Sequence, residues 1–455
     1  MTELDTPTVP TPNPDAQHRT LRIALLGCGN VGTEVARILL KDADSLAART
    51  GARLDLVGIA VRNLDAPRSA DIPRELLTTD AESLVKNADL VIELLGGIEP
   101  ARSLIMLAIE HNACVVSGNK ALLASDGPRL YELADAKGVQ LSYEAAVAGA
   151  IPILRPIRDS LAGDKITRVL GIVNGTTNYI LDQMDSTGAD FNSALAEAQR
   201  LGYAEADPTA DVEGRDAAAK AAILASLSFH SSFSLDDAYC EGISSITASD
   251  IEAAREAGLV IKLLAIAEKV TATDGAQDGV SVRVHPTLLP REHPLAAVRG
   301  AFNAVFVESE YAGELMFYGR GAGGTPTAAA VLGDLVSAAR RIVLGGPGRT
   351  ETTAGRVPVL SIDAVQTSYC IGLEVADESG VLARIAQIFA TQGVSIETMR
   401  QTIHPADDQD QQQQYAELRI VTHRAAESAL AATVAQIRDL DVTTAVTSVL
   451  RVEGV

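Results

Sequence analysis

From Leu21 onward the chain alternates short apolar runs with stretches of helical period. LRIALLG predicts a strand and TEVARILLKDADSLAAR a helix. RLDLVGIAV and ADLVIELLG read as further strands, ARSLIMLAIEHNA as a helix and CVVSG as a strand. A helix around Leu130 to Ala136 and a strand VQLSYEAAV complete the series. Strands alternating with helices predict a parallel sheet covered on both faces, here over 21–150. GRGAGGTPTAAAVLGDLVSAARRI, a glycine loop running into a helix, is expected to return the chain to this domain at 319–345. In between, 151–318 mixes a helical IPILRPIRDSL and long alanine-rich helices with strand-like KITRVLGIVNG, VSVRVHPTLL and NAVFVES, the pattern of an α+β domain. GGPGRTETTAGRVP marks a linker over 346–366. Beyond it, 367–455 reads strand, helix, strand, strand, helix, strand, the order of a ferredoxin-like module. Its DDQDQQQQ stretch is expected to be an exposed hairpin loop, and residues 1–20, rich in Pro and Thr, a disordered tail.

Composition narrows the function classes. A length of 455 residues suggests about three domains, and 47% hydrophobic content is ample for their cores. A net charge of −21 disfavours nucleic acid and anionic membrane as partners. No uninterrupted apolar run reaches the ~20 residues of a membrane span, and the N-terminus lacks an apolar signal core. The four cysteines (Cys28, Cys114, Cys240, Cys370) have no CxxC spacing, which points to a reducing compartment and no structural zinc. The histidines show no ligand spacing, and His230, His285 and His293 are expected to be structural.

Chemistry concentrates in LGYAEADPTADVEGRDAAAK, Leu201 to Lys220. Five acids (Glu205, Asp207, Asp211, Glu213, Asp216) precede one lysine on an alanine-rich helix. Residues four apart share a helix face, so Asp216 and Lys220 can point into one site. A lysine on an apolar helix must find a charged partner or lose its proton, which makes Lys220 a candidate proton donor. The alternative is a helix-capping acid with a surface lysine. Gly27-Cys28-Gly29-Asn30-Val31-Gly32 is GxGxxG after an apolar strand and before a helix, the context of a dinucleotide pyrophosphate site. The second strand ends in GIAVRN, with Arg62 and no acid before Asp65, which favours NADP over NAD because an arginine can pair with the 2′-phosphate. Lys120 follows a strand at the edge where parallel sheets hold ligands. Glu144, beside small residues with free carbonyls, offers oxygens to a hard cation, or sits in a plain structural loop. Asn174, Gly175, Thr176 and Thr177 fall on a strand-to-helix turn whose amides and hydroxyls suit a small polar substrate; an N-cap explains Thr176 or Thr177 equally.

Taken together, GCGNVG, VIELLGG, SGNKALLA, YEAAVAGAIPI, NGTTNYIL, LGYAEADPTADVEGRDAAAK and GRGAGGTPTAAAVLGD resemble the homoserine dehydrogenase family, in the family's order from Gly27 to Asp334. DESGVLARIAQIFATQGVSI resembles an ACT regulatory domain. The resemblance implies an α/β fold: a Rossmann-like domain, an α+β substrate and dimerisation domain, and a ferredoxin-like ACT domain. It implies a cytoplasmic, NAD(P)-dependent enzyme of threonine and methionine biosynthesis that interconverts L-aspartate 4-semialdehyde and L-homoserine. By position, Lys220 resembles the catalytic lysine and Lys120 a lysine near cofactor and substrate. Glu205 and Asp216, with Gly175, Thr176, Tyr203 and Asp211, resemble substrate-binding residues. Gly27, Gly29, Asn30, Val31, Gly32, Arg62, Lys120 and Gly323 resemble cofactor contacts. Glu144, Val147, Gly149 and Ile151 look like a site for sodium or another monovalent cation. Threonine is the implied effector, and a homodimer or homotetramer the implied assembly. Competing readings are a different NADP-dependent amino acid dehydrogenase and an amino acid sensor on a dinucleotide fold.

Overall fold

The computed structural model describes residues 19–271, 277–346, 355–404 and 415–454. Residues 1–18 of the expected tail, the start of the expected linker and the DDQDQQQQ stretch lie outside them. The chain forms two compact units, Met1–Pro152 with Ala322–Glu351, and Ile153–Gly321 with Thr352–Val455.

In the first unit the strands are β1 (Thr20–Leu26), β2 (Arg53–Ala60), β3 (Leu77–Thr78), β4 (Leu90–Glu93), β5 (Cys114–Ser117) and β6 (Leu141–Ser142). They form one parallel sheet in the order β3-β2-β1-β4-β5-β6. The order reverses beside β1, so the crevice at the carboxyl end of β1 is the expected ligand position of such a sheet. Its helices are α1 (Asn30–Lys41), α2 (Ala43–Thr50), α3 (Ala81–Lys86), α4 (Ala101–Glu110) and α5 (Lys120–Lys137). β1 from Ile23 and β4 up to Ile92 are apolar because both faces are covered there: Ile23, Leu25, Leu26, Val91 and Ile92 are fully buried. The expected strand VQLSYEAAV pairs only at Leu141–Ser142. Beyond it the chain turns through Glu144–Ala146 and a left-handed Ala148, φ 57°, geometry a strand cannot hold.

The second unit contains β7 (Ile166–Ile172), α6 (Gly175–Thr187), α7 (Phe191–Arg200), α8 (Thr209–Val212), α9 (Arg215–Ser228), β8 (Ala238–Cys240) and α10 (Ala248–Glu256). β9 (Leu259–Val270), β10 (Gly279–Pro290), β11 (Phe302–Ser309) and β12 (Gly313–Arg320) follow. The chain then contributes α11 (Gly324–Leu344) to the first unit, where it packs on α1 and α2. Back in the second unit come β13 (Gln366–Ala376), α12 (Val381–Thr391), β14 (Ile396–His404), β15 (Tyr415–Thr422), β16 (Ala425–Ala426), α13 (Glu427–Arg438) and β17 (Thr443–Val452).

β13 alternates buried Tyr369, Ile371, Leu373 and Val375 toward α12 and α13, so the C-terminal βαββαβ module has its own core. That module does not hang free. β17 pairs in parallel with β10, Thr287 opposite Arg451 and Leu288 opposite Val452, and a single path of strands runs β12-β11-β7-β9-β10-β17-β13-β15-β14. Buried charges close the seam. Glu453 takes bonds from Arg168 (2.5 Å) and Arg283 (3.3 Å). Burial alone would raise the Glu453 carboxyl, but the two guanidinium groups hold it below the ordinary carboxylate range. Among the described residues no helix is long and apolar enough to cross a membrane.

Candidate active site and cofactor cradle

In the first unit, the turn after β1 and the helix it opens need glycine at two positions. Gly27 sits at φ 100°, and a Cβ there would lie 2.6 Å from the Leu94 carbonyl oxygen. A Cβ on Gly32 would lie 2.2 Å from the Gly27 carbonyl oxygen, so the missing side chain lets α1 press against the turn. Gly29 differs: a Cβ there meets nothing within 4 Å, and the space beside it belongs to a cavity. That cavity, about 270 Å³, is lined by Gly29, Asn30, Val31, Leu95, Gly118 and Asn119 among others. With the N-terminus of α1 at its edge, it fits the pyrophosphate of a dinucleotide. Glu93, fully buried at the end of β4, braces the rim. Its carboxylate accepts from Leu95 N (2.8 Å) and Ser117 Oγ (2.7 Å), while Asn119 Nδ2 donates to Gly97 O (2.6 Å). The sequence motifs VIELLGG and SGNKALLA contain these residues, but nothing in their spacing announces the brace.

α11 completes the rim: Gly324 would place a Cβ 3.1 Å from Asn30 O, and Thr325 Oγ1 donates to Glu34 (2.9 Å). Gly323, immediately before it, has φ 119°. Arg62 is exposed two residues beyond β2, and Lys120 is exposed at the first residue of α5. Glu144 is 2% exposed, its backbone N bonded to Asp334 Oδ2 (2.8 Å). Val147 and Ile151 are buried in the same segment, and Gly149 between them has φ 57°.

In the second unit, β7 ends at Ile172 and Asn174 caps α6, its Oδ1 accepting from Thr177 N at 2.9 Å. The cap is therefore Asn174, not Thr176 or Thr177; the extended backbone needed at a cap falls two and three residues before the threonines. Asn174 is also a bridge. Its Nδ2 donates to Asp211 Oδ1 (2.7 Å) and Asp216 Oδ2 (2.9 Å). Lys220 Nζ donates to the same Asp216 oxygen (2.7 Å) and to Val173 O (2.7 Å). Lys220 and Asp216 are each 8% exposed, so the amine on this apolar helix does carry a charged partner. The surface-lysine alternative is excluded by that burial. Thr176 Oγ1 donates to Tyr203 O (2.6 Å), and the Tyr203 ring lies 4.9 Å from Tyr179. Glu205 is exposed on the following loop, and its carboxylate stays outside this network of hydrogen bonds among the described residues.

A second buried amine was not singled out by sequence. Lys262 of β9, wholly buried, donates to Asn178 Oδ1 (3.0 Å) and Val298 O (2.6 Å). Burial pushes it down to about 8, against the opposing pull of Asp182. A lysine inside an apolar strand such as VIKLLAIA was the available signal. His285 is fully buried, bonded through Nδ1 to Thr287 Oγ1, and burial holds it well below its ordinary range, which suits a structural role.

Comparison with known proteins decides what this arrangement belongs to. The family described as "Homoserine dehydrogenase" matches residues 152–336, "Homoserine dehydrogenase, NAD binding domain" matches 27–144, and "ACT domain" matches 371–442. A homoserine dehydrogenase of Mycobacterium leprae is 54% identical, over 97% of this chain and 99% of its own. The chain belongs to the homoserine dehydrogenase family. A Corynebacterium glutamicum homoserine dehydrogenase is 53% identical over 95% of both chains. The crystal structure of a homoserine dehydrogenase from Thiobacillus denitrificans superposes with a TM-score of 0.88 at 39% identity, over 96% of this chain and 99% of that one. The activity is accordingly that of an NAD(P)-dependent oxidoreductase interconverting L-aspartate 4-semialdehyde and L-homoserine, in amino acid biosynthesis. The expected fold, a Rossmann-like domain, a mixed-sheet substrate domain and an ACT domain, stands.

Proposed function

We propose that Lys220 is the proton donor of aldehyde reduction, and the observation that carries this is its buried bond to Asp216. Bound nicotinamide supplies the hydride. As the aldehyde carbon is reduced, negative charge grows on its oxygen, and a cationic amine held out of bulk water stabilises that charge and delivers the proton. Asp216 supplies the opposite charge beside that amine. Asn174 ties Asp216 to Asp211, so the two carboxylates move as one unit. Asp211 and Asp216, with Glu205 from the loop, take the substrate ammonium; Gly175, Thr176 and Tyr203 shape the rest of its pocket. Lys120 assists near cofactor and substrate.

The cofactor reading is NADP, with NAD as the alternative. Arg62, exposed past β2 with no acid beside it, pairs with the 2′-phosphate. A hyperthermophilic archaeal homoserine dehydrogenase in complex with NADPH, 25% identical with a TM-score of 0.60, supports this. Gly27, Gly29, Asn30, Val31, Gly32 and Gly323 admit the pyrophosphate by backbone. Glu144, Val147, Gly149 and Ile151 hold sodium or another monovalent cation. The ACT domain binds an amino acid effector, threonine, in feedback control. Four free cysteines fit a cytoplasmic setting, and the assembly carried over from the family is a homodimer or homotetramer.

A spectrophotometric assay with homoserine and either NADP or NAD tests the reading. Lys220→Ala is expected to lower turnover by roughly 10²–10⁴-fold while the protein stays folded. A folded variant with near-parental turnover overturns the role of Lys220.

A further inference from the structure

The last strand of the C-terminal module ends beside the turn that launches the catalytic helix. Arg451 of β17 is 9% exposed and bonds in two directions. Toward its own module, Nε and Nη2 donate to Glu427 Oε1 (2.8 and 2.6 Å), and Tyr369 OH donates to the same oxygen (2.6 Å). Toward the substrate domain, Nη1 donates to Glu241 Oε2 (2.7 Å), and the guanidinium lies 5.2 Å from the centre of the Tyr239 ring. Tyr239 OH closes the clamp on Glu241 at 3.2 Å. One fork of donors thus ties the two domains together, a geometry for which a lysine is no substitute.

The segment so gripped, 239–244, is packed without slack onto the turn before α9. A Cβ on Gly242 would lie 2.3 Å from Val212 O and 2.6 Å from Glu213 Cα. Ile243 N donates to Val212 O (2.8 Å), Cys240 Sγ to Glu213 O (3.2 Å) and Ser244 Oγ to Glu213 Oε1 (2.5 Å). Gly214, at φ 79°, would place a Cβ 3.1 Å from Cys240 Sγ and 3.3 Å from Glu241 O. Asp211 immediately precedes this turn and Asp216 lies two residues beyond it, and both are bonded to Asn174. A shift of 239–244 therefore has to be taken up in the spacing of Asp211, Asp216 and Lys220.

We propose that Arg451 is a positioning residue for Lys220: through Glu241 and Tyr239 it fixes segment 239–244, and through that segment the turn 212–214 that aims the catalytic helix. The proposal rests on the role of Lys220 given above. By it, the C-terminal module acts on catalysis through its last strand even with no effector bound.

The test is a double-mutant cycle in the full-length chain with Arg451→Ala, Glu241→Ala and the double variant, with melting curves beside homoserine and NADP kinetics. Each single variant is expected to lower kcat/KM for homoserine roughly tenfold, with a raised homoserine KM and an unchanged NADP KM. The double variant is expected to be no worse than the more damaged single. A loss of folded enzyme alone would leave the homoserine KM where it is. Unchanged homoserine kinetics in both singles, or effects that multiply in the double, overturn the proposal. If Arg451→Ala does not fold, Glu241→Ala decides: a raised homoserine KM at unaltered Tm supports it, and an unchanged KM overturns it. Full activity in Lys220→Ala would instead strike the reading on which the proposal rests, independently of whether the cycle couples.

Discussion

Among the described residues of the second unit two lysines are buried, each bonded to a backbone carbonyl and to a side chain, and the side chains differ. Lys220 shares an oxygen of Asp216 with Asn174. Lys262 has only neutral acceptors, Asn178 Oδ1 and Val298 O. The difference is forced by what surrounds each partner. Asn178 Nδ2 donates to Gly300 O (2.8 Å), with Val298 O and Phe302 O each 3.3 Å away, so a carboxylate there would face three carbonyl oxygens. Asp216 has Asn174 as its neighbour, a donor. Burial alone therefore does not make a lysine a catalytic acid. Burial is the largest influence on Lys262 and pushes it down to about 8, against the pull of Asp182 and Asp185.

Removing the counter-ion of Lys220 is the harshest way to break the comparison. Asp216→Asn removes the carboxylate that Lys220 Nζ bonds at 2.7 Å. Unfolding free energy at pH 7 is expected to fall by roughly 3–5 kcal/mol, with turnover falling too; urea titration and the homoserine assay read both. A change in stability below about 1 kcal/mol would mean the pair is solvated.

Next comes the pH signature of Lys262. Its folded value of about 8 lies below its ordinary 10.5, so between these limits the unfolded chain holds more protons than the folded one. Stability from this group therefore rises as pH rises through that window, by at most about 3 kcal/mol. The measurement is the pH slope of unfolding free energy in wild type against Lys262→Met, and a slope unchanged by the substitution would contradict the assignment.

The smallest expected effect is Asn174→Ala. Losing the cap costs about 1 kcal/mol in thermal or urea unfolding. Because Asp211 and Asp216 are then no longer bridged, kcat/KM for homoserine should fall further than stability does. A loss of stability with homoserine kinetics untouched would reduce Asn174 to a cap and nothing more.

Much of this was legible along the chain. Apolar runs in β1 and β4 gave a covered parallel sheet because period and polarity are local properties. GxGxxG marked the cradle because its glycines answer clashes with nearby backbone, as Gly27 and Gly32 do. The Asp216–Lys220 pair was readable from helical spacing alone, since a four-residue step needs no tertiary information.

Other features had no local sign. Asn174 joins Asp211 and Asp216 across 37 and 42 residues of sequence. Glu93 braces a rim built from other strand ends, and VQLSYEAAV stops being a strand where Asp334, 190 residues away, takes the Glu144 amide. The pairing of β17 with β10, and Arg451 held between Glu427 and Glu241, join segments far apart in the sequence. The sequence by itself determined which segments fold and which helix bears the acid–amine pair, because nearest-neighbour sterics and periodic burial set those. Only the tertiary structure decided which charges are compensated, because a counter-ion is chosen by distance in space and by the donors already surrounding it.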